Sequence, residues 1–239
     1  MMAGFLGKEH AISLAVAVLI LTVLWAVLRG RSRTACRVVL GILSLTGLAA
    51  IVWYPFAFGE LLPFLPLELC SYTAVCLPFA VFTGNRRLNN LLLLWYLGAF
   101  AALLLNPLEI AWAPGSTAFW MFFLPHVFEA GIPVLSVLLG LTEKDPKQIP
   151  FMLAATAAVY TLSHFCNVAI NRWYSASGST KAVNYMFAEW PENPVLDFFW
   201  RILPKSYWYG WLLLPPIALF LLLLYLPEIL HRGRSGQNE

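Results

Sequence analysis

Cys70, His126 and His164 are the side chains in this sequence best suited to chemistry, because each interrupts an apolar run. An ionisable group at that depth is costly and marks a bundle interior or a water-filled cavity. Polar residues accompany them. Glu68 precedes Cys70, Glu129 follows His126 at i+3, and Asn167 and Asn171 follow His164 at i+3 and i+7, which on a helix is one face. A carboxylate one turn from an imidazole can fix its tautomer and raise its basicity. Two imidazoles and a thiol could also hold zinc or haem iron, although no His-x-x-x-His pair supports that set and no metal or other cofactor is expected. The plainer readings stand beside these. An intramembrane His or Asn often only bonds a neighbouring helix, and a buried Cys often acts as a small hydrophobe. Asn106 and Glu109 end an apolar run, and Glu68 and Glu109 fit a water interface.

The elements that carry these residues follow from composition. Hydrophobic residues make up 60% of the 239 and charged ones 11%, against roughly 45–50% and 25% in an ordinary soluble domain. That much apolar surface belongs in hydrocarbon, where helices or closed barrels alone satisfy the backbone. Unbroken Leu/Ala/Val/Phe runs, rather than period-two alternation, select helices. The expectation is an all-α membrane protein, a single domain over 1–239 with about seven transmembrane helices. A net charge of +3 spread in short clusters offers nothing to nucleic acid. Cys36, Cys70, Cys76 and Cys166 show no paired spacing, so no disulfide framework is expected. The first apolar run is not preceded by a basic segment and ends in Arg, which predicts a retained first helix rather than a cleaved signal.

The runs predict spans at about 9–29, 37–58, 66–83, 88–106, 117–141, 149–171 and 207–228. Alternate loops hold ten and five of the 15 Lys and Arg, the richer set containing Arg29, Arg31, Arg33, Arg37, Arg86, Arg87, Lys144, Lys147, Arg232 and Arg234. The positive-inside rule then puts the N-terminus outside and the C-terminus in the cytoplasm, across the cytoplasmic membrane if the source is bacterial. The loop at 172–206 becomes extracytoplasmic, and its Trp173, Tyr174, Tyr185, Phe187, Trp190, Phe198, Phe199 and Trp200 predict a cap on the bundle or a segment at the headgroup level rather than a linker. At ~1.5 Å per residue, Cys70, His164 and His126 fall roughly 6, 10 and 13 Å below the outer ends of their helices. All therefore lie in the outer half of the bilayer, which points to one polar cavity under the aromatic loop.

Three segments resemble the YwaF family of bacterial integral membrane proteins: Leu65-Pro66-Leu67-Glu68-Leu69-Cys70, then Phe123-Leu124-Pro125-His126-Val127 with Pro133 behind it, and Asn184-Tyr185-Met186-Phe187. The similarity runs from about 60 to 228, and the first two helices match in hydropathy alone. That family looks related to a eukaryotic transmembrane acyltransferase of ether phospholipids, whose Cys and two His motifs correspond to Cys70, His126-Val127 and His164-Phe165. The resemblance implies that Cys70 is a nucleophile and His126 its base. One departure is Glu68, which stands where bacterial members often carry His.

On that reading Cys70 takes an acyl chain from a phospholipid as a thioester and passes it to a lysophospholipid or to water, making the protein a lipid acyltransferase or hydrolase. His164 and Asn167 would donate to the oxyanion, and Glu129 and Asn184 would supply further polar contacts. The membrane phospholipid or lysophospholipid is the expected partner. The alternative is a non-catalytic transporter, channel or receptor-like seven-helix protein binding a small ligand in the same cavity.

Overall fold

The computed structural model describes residues 8–105 and 116–235. Among them all regular structure is helical: α1 (Lys8–Leu28), α2 (Arg33–Phe58), α3 (Leu69–Thr83), α4 (Arg86–Leu105), α5 (Thr117–Leu138), α6 (Ile149–Ala176), α7 (Pro194–Ile202) and α8 (Leu214–Ser235), with short 3-10 turns between some of them. Six helical stretches are long and apolar enough to cross a membrane, one fewer than expected. The shortfall is α3. Its 15 residues rise ~22 Å, short of a ~30 Å hydrocarbon layer.

Proline explains the late start of α3. Pro66 disfavours helical backbone at the residue before it, and Leu65 is extended at φ −60°, ψ 144°. Cys70 therefore sits in the first turn of its helix, not four residues inside one. Two other boundaries also moved. α6 continues to Ala176, which shortens the expected loop, and α7 forms inside that loop. A 3-10 turn, Trp208–Leu213, precedes α8, whose first turn accepts Pro215 and Pro216 because the N–H groups there lack helical partners in any case.

The helices group into two compact units: α1 to α5 form one, and residues 61–68 with α6 to α8 form the other. In the first unit α2 packs on α3 and α5, and α4 on α3 and α5. Small residues permit this closeness, since apolar lipid leaves packing itself to hold helices together. A Cβ on Gly41 would collide with the Phe82 ring, and one on Gly131 with the Leu21 side chain. Asn89, buried, donates from Nδ2 to the Ala80 carbonyl at 2.8 Å and ties the α3–α4 hairpin. The turn between them uses Gly84 at φ +66°, the left-handed region that glycine enters without strain.

In the second unit the connection from α6 to α8 packs against protein rather than dangling. Tyr174, Val183 and Tyr185 form a buried cluster with Leu62, Leu65, Leu67 and Ile170. Tyr209 donates its hydroxyl to the Phe187 carbonyl, and its ring meets Trp200 edge-on at 5.1 Å.

Candidate active site

α5 carries half of the first unit's polar centre. Ser116 caps its start by accepting the Phe119 N–H, and Pro125 and Pro133 flank the turn that bears His126 and Glu129. Neither proline has an N–H, so the carbonyls of Met121 and Glu129 lack the donor that position i+4 supplies in an ordinary helix. α3 brings Cys70 to the same place. A ring nitrogen of His126, Cys70 Sγ and a carboxylate oxygen of Glu129 all lie within 4.8 Å of one another.

A backbone carbonyl fixes the tautomer of the imidazole. His126 Nδ1 lies 2.7 Å from the Phe122 carbonyl, and a carbonyl can accept but not donate. The proton is therefore on Nδ1, and the neutral ring presents Nε2 as a lone pair. The Phe122 ring, 4.3 Å away centroid to centroid, covers one side of the imidazole. Cys70 is half-buried and outside any disulfide, with Tyr54 of α2 in electrostatic reach.

Glu129 is 3% exposed, and its Oε2 has no hydrogen-bond partner among the described residues. Space for this carboxylate is made by Gly47 of α2, where a Cβ would stand 2.8 Å from Glu129 Oε1 and 2.7 Å from Ala74 Cβ. Neither Gly47 nor Tyr54 was legible as a site residue from sequence. A glycine or a tyrosine in an apolar helix carries no chemical signal until its neighbours across the interface are known.

His164, Asn167 and Asn184 belong to the second unit, and each has partners there. His164 Nδ1 meets Glu189 Oε1 at 2.7 Å, Ser206 donates to Glu189 Oε2 at 2.6 Å, and the Tyr207 ring stacks on the imidazole at 4.5 Å. Asn167, fully buried, accepts the Tyr185 N–H at 2.8 Å and donates to the Tyr185 carbonyl at 3.0 Å. The side chain read as an oxyanion donor is thus committed at both ends to the loop backbone. Asn171 does the same one turn on, bonding Val183 N–H and carbonyl at 2.7 and 2.9 Å.

Asn184 holds the same loop from within, donating to the Trp190 carbonyl at 2.9 Å and to Glu192 at 2.8 Å while accepting the Glu189 N–H at 2.9 Å. These bonds support a strained turn, since Met186 and Phe187 both have left-handed backbone, at φ 53° and 52°. Glu68 accepts the Met186 N–H at 2.8 Å, which gives this carboxylate a structural partner. Burial, with the Glu68 carboxylate adding to it, pushes the Tyr185 phenol up to about 12 and keeps it neutral at physiological pH. Asn106 and Glu109 lie outside the described residues.

Comparison with known proteins places the chain in a family. No curated protein and no solved structure matches the chain. A family profile does match, and it begins at residue 5, so it takes in the first two helices that the sequence motifs had left outside the resemblance. Over residues 5–225 the match is to the TMEM164 family, and the chain belongs to that family of membrane proteins.

Proposed function

We propose that the protein is a membrane-embedded lipid acyltransferase or hydrolase that works through a thioester on Cys70. The observation that carries the reading is the convergence of Cys70 and His126 within 4.8 Å, with the His126 Nδ1 proton held by the Phe122 carbonyl. His126 Nε2 takes the Cys70 proton, and the thiolate attacks the ester carbonyl of a phospholipid. The tetrahedral intermediate collapses as the C–O bond breaks, and the leaving lysophospholipid oxygen takes the proton back from His126. A lysophospholipid hydroxyl, or water, then gives its proton to His126 and attacks the thioester, and the released thiolate recovers that proton. No cofactor enters these steps.

In this reading α3, though short, still crosses a locally thinned bilayer as a seventh span, so that the N-terminus is outside and the C-terminus cytoplasmic, as the ten of 15 Lys and Arg on one set of loops favour. Cys70 in the first turn of α3 then lies near the outer headgroups, where ester carbonyls are found.

The test is trapping. Purified protein incubated with a phospholipid bearing a labelled acyl chain should yield a hydroxylamine-sensitive adduct on the peptide containing Cys70. Cys70→Ser should abolish the adduct, and His126→Ala should slow its formation by about 10²-fold or more. Absence of an adduct from a range of phospholipids, with the protein folded, would favour the binding module instead.

A further inference from the structure

Glu129 has no step in the acyl-transfer scheme, yet it is the most buried member of the cluster and the one with an oxygen that has no hydrogen-bond partner among the described residues. Thiolate, imidazole and carboxylate are together a donor set for zinc, and three protein ligands with an open fourth position describe its reactive sites. We infer that Cys70, His126 and Glu129 bind one divalent cation of the zinc class.

Three features support the fit. The three donor atoms come from two helices and lie within 4.8 Å of one another. Bonds of about 2.0–2.3 Å at tetrahedral angles separate ligand atoms by about 3.3–3.7 Å, so closure needs about 1 Å of side-chain movement. The outer shell is already in place: His126 donates Nδ1–H to the Phe122 carbonyl, and a ligating imidazole normally directs its second N–H at a carbonyl or carboxylate in this way. Finally, the buried Glu129 Oε2 lacks a partner among the described residues, and a cation would supply one.

The consequence for activity rests on the acyl-transfer reading. A cation bound to the Cys70 sulfur and the His126 lone pair withdraws nucleophile and base together, so zinc would be a reversible inhibitor rather than a cofactor. Coordination releases the thiol proton to solvent and changes no oxidation state.

The experiment titrates Co²⁺, as a spectroscopic surrogate for zinc, into the full chain in detergent micelles, and follows alkylation of Cys70 by maleimide in parallel. About one equivalent should bind with a thiolate-to-cobalt charge-transfer band that Zn²⁺ bleaches. Cys70→Ser should remove the band, Cys166→Ser should keep it, and Glu129→Gln should weaken binding by about tenfold or more. Zinc should protect Cys70 from alkylation and a chelator should restore it. A band that survives Cys70→Ser, or equal affinity in Glu129→Gln, overturns the proposal. Thioester formation without any cobalt band sinks the metal site alone. Cobalt bound through Cys70 in a protein that never acquires an acyl adduct leaves the metal site standing and removes the acyl-transfer reading.

Discussion

Gly47→Ala is the sharpest test of how the first unit builds its polar centre. The added methyl would lie 2.7 Å from Ala74 Cβ and 2.8 Å from Glu129 Oε1. Carbon atoms settle at about 3.5–4.0 Å, so α2 and α3 must part by about 1 Å, because Ala74 has no side-chain rotation with which to yield. Overpacking of this kind costs about 1–3 kcal/mol, and Ala in place of a helical Gly returns about 0.5–1 kcal/mol. The net loss is about 0–2.5 kcal/mol, and at about 2–4 °C per kcal/mol for a chain of this size the middle of that range lowers the melting temperature by several degrees.

Gly41→Ala is the matched control on the same helix. Its methyl meets the Phe82 ring, which is 45% exposed and can swing toward lipid, so the stability change should be near zero. Thermal unfolding in micelles, followed by Trp fluorescence, gives the first comparison. Maleimide labelling of Cys70, mapped by peptide mass spectrometry, gives the second, and it should change in Gly47→Ala alone because the Glu129 carboxylate must shift. If the two variants melt together and label alike, the close packing argued for Gly47 does not exist.

Other outcomes follow from single side chains. Glu129→Met replaces a buried orphan carboxyl by an apolar chain of similar length and should raise the melting temperature, gaining about 1–3 kcal/mol; a lower one would mean that Oε2 has a partner in the folded protein. Asn167→Ala strips two buried bonds from Tyr185 and should cost the second unit about 2–4 kcal/mol, seen as faster proteolysis in the loop between α6 and α7 with α6 still intact. Tyr209→Phe removes the hydroxyl bond to Phe187 and should cost about 1 kcal/mol in thermal unfolding, while leaving Cys70 labelling unchanged. An unchanged melting or cleavage profile contradicts the unpartnered oxygen in the first case and the bonds described in the other two.

The aromatic loop shows how far pattern reading reaches. Its Trp, Tyr and Phe content predicts packing rather than disorder; Tyr174 and Tyr185 do pack with Val183, whereas Trp173, Trp190 and Phe198 stay exposed. Its short helix α7 is less visible, because nine residues opening at Pro194 are too few to count as a span, although their apolar period is strong. Likewise His164, Asn167 and Asn171 are readable as one helical face. Their use to grip Val183, Tyr185 and Glu189 is not, since the partners lie in a segment with no repeating geometry.

By itself the sequence determined the solvent and the local geometry: apolar composition demands hydrocarbon, hydrocarbon demands helices, and a 3.6-residue period places His126 and Glu129 one turn apart. The tertiary structure decided which of the scattered polar groups share a site. That choice depends on how α2, α3 and α5 are rotated and how closely they approach, which rests on small residues such as Gly47 and Ala74 whose contribution is the volume they leave empty. An empty volume has no signature in one chain read in order, because it belongs to the contact between helices and not to either of them.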